Sequence, residues 1–359
     1  MKSSLPARAS PWPHRLAVCL ALATFPLIWV GGLVTTYDAG MAVPDWPTTY
    51  GYNLLRYPWQ TWLAGPFDLF IEHGHRLLGA LAGLLSLLLL GTVLAVDRRP
   101  WLVAAAAGCV ALVVLQGVLG GLRVLWDARL VALVHGCVGP LFFAYLGGLI
   151  VATGRPSPLP APSAAELSTA PFAAGEAAIW TAWGVAGLAY GQLVLGAILR
   201  HVPVTARPEL FRAALAMHLL LAAALWVAVV HLGWRLQRSE RRRLGHRGTW
   251  LLVLLVTLQM ALGAGTYVAK YAFPAWLGGF YFAAAYVVRE KSLAQSLVTT
   301  AHVANGSLIL FLAVVLAMRL TRQRWAAPRL AAEMRPGSRW ASTEEPLRRR
   351  LPWLEGVPT

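Results

Sequence analysis

The sequence predicts an all-α polytopic membrane protein of eight transmembrane helices, arranged as two pseudo-repeated four-helix bundles. Three observations carry this: an apolar composition, a succession of apolar runs of bilayer length, and a unit repeated along the chain. Of 359 residues, 58% are hydrophobic and 13% charged, with a mean hydropathy of +0.59. That is more apolar surface than a water-soluble chain of this size can bury, so lipid is its main solvent. A helix rising 1.5 Å per residue needs about 20 apolar residues to cross a hydrocarbon core of about 30 Å. Runs of that order lie at 16–36, 75–96, 101–122, 130–153, 177–199, 212–234, 249–269 and 295–318.

The connections between the runs order the chain. The first run follows Arg8 and Arg15 but is long and lacks a small-x-small cleavage site, so it reads as a retained helix and not a removed signal. Asp97-Arg98-Arg99, Arg155 and the cluster Arg235, Arg238, Arg241, Arg242, Arg243 and Arg247 mark alternate loops as cytoplasmic under the positive-inside rule, placing both termini inside. The short N-terminus argues for a bacterial cytoplasmic membrane over an organelle. Two long loops, 37–74 and 271–294, are rich in Trp, Tyr, Pro and Gly and belong outside. A Pro/Ala-rich stretch at 154–176 reads as a cytoplasmic linker between halves at 16–153 and 177–319, with an N-terminus at 1–15 and a basic cytoplasmic tail at 320–359.

Net charge is +16, but the Lys and Arg residues sit in short connections and the tail, without a basic-aromatic surface that would read nucleic acid. Cys19, Cys109 and Cys137 all fall inside apolar runs, so no disulfide framework is expected.

The repeat carries the chemistry. Each odd-numbered helix ends in a glycine motif, an outer loop follows, and the next even-numbered helix carries a histidine near its start. The copies are Gly31-Gly32 with His75, Gln116 to Gly120 with His135, Gln192 to Gly196 with His218, and Gln259 to Gly263 with His302. Counting from Gly32, Gly120, Gly196 and Gly263, glycine and histidine are 43, 15, 22 and 39 residues apart, so only loop length varies. One histidine at a helix end is ordinarily an interfacial polar residue; four in register are not. Neutral imidazole is a good iron ligand, and two histidines from opposite helices can clamp a planar porphyrin in a bundle core. Two pairs imply two haem sites, with His75, His135, His218 and His302 as metal ligands.

His14, His201, His231 and His246 stand outside the pattern at ends or in loops, and His73 faces away from His75. Glu72 lies about one turn before His75 on the same face, where it can act on a ligand held there or pair with Arg76. Cations on the outer side, Arg123, Arg129, Arg200, Arg207, Arg289 and Lys291, breach the charge rule. Haem propionates are anions that would account for the breach, making Arg76, Arg123, Arg129, Arg200 and Arg207 candidate partners, against the plainer role of interfacial anchors. The first outer loop contains Gly40-Met41-Ala42-Val43-Pro44-Asp45-Trp46-Pro47, a stretch suited to covering an outer cavity or to lying in the interfacial aromatic belt. The chain holds no CxxCH attachment motif, so a bound haem is non-covalent.

Gly31-Gly32-Leu33-Val34, Gly40 to Pro47 and Glu72-His73-Gly74-His75-Arg76, an E-x-x-H-R motif, together resemble the haem A synthase family, and the likeness spans all eight helices. The resemblance implies oxidation of the C8 methyl of haem O to a formyl group, making haem A for terminal cytochrome oxidase. It further implies a haem b cofactor on His218 and His302, substrate haem on His75 and His135, and Glu72 essential to the chemistry. Implied partners are haem O synthase, a membrane or soluble electron donor and the lipid bilayer. One branch of the family has a Cys-Pro-Asp-Trp-Pro-x-Cys loop; here Val43 and Thr49 stand at the cysteine positions, which removes any disulfide role. The alternative is a di-haem b, quinol-oxidising electron carrier, since two bis-histidine sites serve electron transfer equally well. A transporter of repeated halves would place its polar groups nearer the midplane.

Overall fold

The computed structural model describes residues 10–154, 172–203, 205–237 and 242–333. Eight long helices account for most of them: α1 (Trp12–Thr36), α2 (Phe67–Val96), α3 (Pro100–Trp126), α4 (Arg129–Thr153), α5 (Phe172–His201), α6 (Pro208–Gln237), α7 (Arg242–Tyr271) and α8 (Leu293–Glu333). All eight contain a segment long and apolar enough to cross a membrane. The breaks have local causes. Between α2 and α3, Asp97 accepts from Arg99 at 2.7 and 2.5 Å, and Pro100 opens α3 where its missing N–H costs nothing. Asp127, in the left-handed region at φ 46°, ends α3.

The helices close into two rings. α1 packs on α2, α2 on α3, α3 on α4, and α4 back on α1; α5 to α8 repeat the order. Each ring has its own core, one centred on Leu20, Leu89, Leu102 and Leu146, the other on Leu232, Leu236, Leu252 and Ile309. The rings meet along α4, α8, α1 and α5, where Phe143 stacks on Phe311 at 4.4 Å. Burial follows: half of the apolar window of α8 is buried, against 11% for α6 and α7, which leaves the latter pair to face lipid. At the end of the bundle where α1 begins, Arg322 donates to Val151 O and Gly154 O at 2.5 and 2.8 Å, tying α8 to the end of α4.

The helices overrun the apolar runs. α2 begins at Phe67 because Asp68, Glu72 and His73, although polar, form two helical turns outside the apolar stretch. α5 begins at Phe172, inside the segment expected to be linker, and residues 155–171 of that segment lie outside the described residues. α8 continues to Glu333, so the expected tail starts as helix; hydropathy falls at Arg319, but Arg, Gln, Leu and Ala that follow are good helix formers. Arg348 to Arg350 and the rest from 334 onward lie outside the described residues, as do Arg238 and Arg241.

Candidate functional site

One continuous cavity of about 520 Å³ runs between the rings and is lined by all eight helices; His75, His135, His218 and His302 all face it. They are paired. The ring centres of His75 and His135 are 6.3 Å apart with planes at 82°, and those of His218 and His302 are also 6.3 Å apart, at 68°. They lie about two to three turns inside α2, α4, α6 and α8; His75 and His218 are one to two turns deeper than the apolar runs placed them, because α2 and α6 start before those runs.

The glycine motif holds each ring. A Cβ built on Gly31, Gly120, Gly196 or Gly263 would lie 2.8, 3.3, 3.3 or 3.0 Å from Cε1 of His75, His135, His218 or His302, so each imidazole sets its Cε1 edge against bare backbone. Gly31 therefore occupies the repeat position, while Gly32 meets Thr300 of α8 across the seam. That corrects the register counted from Gly32. The glutamine four residues before the glycine reaches the histidine's helix: Gln116, Gln192 and Gln259 donate from Nε2 to the carbonyls of His135, His218 and His302 at 3.2, 2.9 and 2.9 Å. Leu27 stands at that position in the first unit and cannot do so. Nδ1 of His302 lies 3.2 Å from Gln259 O; the Nδ1 atoms of the other three are buried without a hydrogen bond.

These pairs fit haem. Two metal–imidazole bonds of about 2 Å, plus roughly an ångström from each nitrogen to its ring centre, give a little over 6 Å between ring centres. No protein group hydrogen-bonds the Nε2 of any of the four among the described residues, and no cluster of three or more His, Cys, Asp or Glu gathers there. Two facing donors per site suit a metal whose remaining ligands come from a macrocycle.

Among the described residues, only the first pair carries a carboxylate and a roof. Glu72 is buried, lines the cavity, accepts from Arg76 at 2.8 Å and from the Val43 amide at 3.4 Å. The matching positions before the other histidines are Ala132, Leu215 and Thr299. Arg76 also donates to Asp45 O, Thr48 O and Val43 O, each at 2.7 Å. His73 is fully buried, 3.1 Å from Thr49 Oγ1 and packed on Tyr57 and Trp62. The loop from 37 to 66 is thus fastened to α2, and it places Trp46, Pro47 and Leu54 in the cavity wall; Trp46 presses on Gly121, where any side chain would collide. Within the loop, Asp45 accepts from the amides of Tyr50 and Gly51 at 2.8 and 2.9 Å and from the Thr48 hydroxyl. Partial burial pushes its carboxyl up, but these donors outweigh that and hold it below the usual range. Val43 and Thr49, at the positions that are cysteine in one branch of the resembled family, are the residues that meet Glu72 and His73. No residue of the second long loop, 272–292, lines the cavity.

The expected arginines divide. Arg123 and Arg200 line the cavity; Arg76 does too, but as the clamp of the roof. Arg129 and Arg207 are exposed and outside the lining. His201, read from the sequence as a loop residue, closes α5 and lines the cavity; its place beside Arg200 was the only signal for it. His14 lies by Thr153 at the end of α4 far from the histidine pairs, His231 accepts from Arg235, and the His246 side chain lies outside the described residues.

Residues 14–204 match the family model described as cytochrome oxidase assembly protein. Over 262 residues the chain is 31% identical to a heme A synthase of Symbiobacterium thermophilum, an alignment that covers 68% of this chain and 81% of that protein. This chain belongs to the haem A synthase family. Of the site described above, the family match spans His75, His135, Glu72 and the roof loop, and ends at the outer end of α5 beyond Arg200.

Proposed function

We propose that this protein is a haem A synthase of cytochrome oxidase assembly that oxidises the C8 methyl of haem O to a formyl group. The supporting observation is the pairing of two equally spaced histidine pairs with a single buried carboxylate, Glu72, beside the first. A symmetric di-haem electron carrier has no need of that asymmetry. On this reading 16–153 is the substrate half, with His75 and His135 holding haem O, and 177–319 the cofactor half, with His218 and His302 holding haem b. A haem in the second half supplies one-electron redox chemistry between an external donor and the substrate site.

The chain's own residues do the rest. Glu72 places a carboxylate at the cavity wall one turn from His75, where it can stabilise positive charge or take a proton at the reacting edge of the substrate. Trp46, Pro47 and Leu54 close the outer side of that pocket and exclude water. The basic connections favour both termini on the cytoplasmic side of a bacterial inner membrane.

The test is chromatography of haems extracted from the purified protein, made in cells that produce haem O but lack their own haem A synthase. Haem b together with haem A or its hydroxylated precursor is expected. Haem b alone, with haem O available, would identify an electron carrier.

A further inference from the structure

Arg123 and Arg200 enter the cavity from different rings yet hold one stretch of chain. Arg200 of α5 crosses the seam and donates to Gly32 O and Thr36 Oγ1 of α1 at 2.8 and 2.7 Å. Arg123, in the last turn of α3, lays its guanidinium against Gly40, just beyond the end of α1. Each also lies about a turn outward of a glycine that backs a histidine: Arg123 follows Gly120 behind His135, and Arg200 follows Gly196 behind His218. Through Gly32, Arg200 additionally sits next to Gly31, which backs His75. It is placed above both haem pockets at once. His201 lines the same region and Lys270 of α7 adds to its positive field.

Glu72, Asp38 and Asp127 offset part of the Arg123 charge at longer range, but among the described residues no carboxylate pairs directly with it or with Arg200, His201 or Lys270. Among the described residues the ion pairs are Arg76–Glu72, Arg99–Asp97 and Lys291–Asp38, none of which includes Arg123, Arg200, His201 or Lys270. Burying cations against neutral acceptors alone costs free energy that an arriving anion recovers. A guanidinium fork presents two parallel donors suited to a carboxylate.

We propose that Arg123 and Arg200 form a single carboxylate-binding site shared by both porphyrin pockets, with Arg200 contacting propionates from each side, so that filling the first pocket changes the electrostatics of the second. This rests on the haem reading above. Arg123 serves the first pocket; Arg200 serves both.

The test uses the full-length protein purified with haem in its second half from cells that make no haem O. The probe is zinc protoporphyrin, which is redox-silent, compared with its dimethyl ester, which lacks carboxylates. The free acid is expected to bind about tenfold more tightly than the ester. Arg123→Gln and Arg200→Gln should each reduce that preference, and Arg200→Lys should keep most of it. Binding of the free acid should lower the midpoint potential of the resident haem, because it neutralises a cation that disfavours the ferric state. The ester should not shift the potential, and the shift should vanish in Arg200→Gln. Equal affinity for acid and ester, or a potential shift that survives Arg200→Gln, overturns the shared site while leaving the haem reading intact. Absence of any haem in the purified protein overturns both.

Discussion

Replacing the four repeat glycines with alanine turns the packing of the histidines into a ranked prediction. Ordinary van der Waals contact to a Cβ begins near 3.4 Å, so the ring of His75 must retreat by about 0.6 Å from Gly31→Ala, that of His302 by about 0.4 Å from Gly263→Ala, and those of His135 and His218 by only about 0.1 Å from Gly120→Ala and Gly196→Ala. A metal bond tolerates about 0.2 Å. The first two substitutions exceed that tolerance and the last two do not. A ring bonded to iron cannot swing away without losing its bond, so the misfit costs on the order of 1–3 kcal/mol, roughly tenfold to a hundredfold in haem affinity. Haem per protein and the low-spin optical and EPR signals of each site would be measured in the four purified variants. Gly31→Ala should impair the first pocket most, Gly263→Ala the second less severely, and the other two should resemble the parent. Loss of haem in Gly120→Ala as complete as in Gly31→Ala, or full retention in all four, would refute the reasoning.

Glu72→Ala should leave haem in both halves and abolish haem A formation; if Glu72→Gln, which still accepts from the Val43 amide, restores turnover, the carboxylate fastens the roof instead of acting in the chemistry. Arg76→Gln removes charge-assisted bonds to Val43, Asp45 and Thr48 carbonyls, loosening the roof by at least about 2 kcal/mol, roughly thirtyfold in its opening equilibrium, which limited proteolysis between Val43 and Tyr57 would report. Asp45 has a folded pKa below its unfolded value, so its contribution is present above the unfolded value and is lost as pH falls through the folded one. Amide exchange at Tyr50 and Gly51 should therefore be slow at neutral pH and quicken below about pH 4 relative to the intrinsic rate; in Asp45→Asn, which keeps one neutral acceptor, that pH dependence should disappear and at least one of the two amides should exchange faster at neutral pH, and a pH dependence that persists in that variant would discount the role.

The eight spans and the four cavity-facing histidines were legible because both depend on local pattern: apolar runs set by bilayer thickness, and a glycine-to-histidine unit recurring despite loops of unequal length. What stayed hidden depends on chain-distant contact. Gly31 and Gly32 are equivalent in sequence, and only the fold shows one against His75 and the other against Thr300. Arg76 resembles any interfacial cation until the loop that follows α1 folds back onto it. The depth of His75 and His218 was underestimated because the first turns of α2 and α6 carry polar residues, such as Asp68 and Glu209, that interrupt hydropathy but not helix.

The exceptions to the repeat concentrate in its first unit, and they have a common consequence. His135, His218 and His302 each have their helix carbonyl anchored to the neighbouring helix by a glutamine. His75 has Leu27 there and gains Glu72 and Arg76, which bind the roof instead. A ligand to a permanent cofactor benefits from an anchor that keeps its helix in register. A ligand to a substrate that enters and leaves on every turnover benefits from one fewer fixed contact and from a pocket whose cover can be fastened or released. The first pocket has the second set of features and the other the first, on nearly identical histidine geometry. The proposed assignment of substrate to His75 and His135 rests on what surrounds His75, where the glutamine anchor kept by His135 is missing, since the spacing of the imidazoles is the same in both halves.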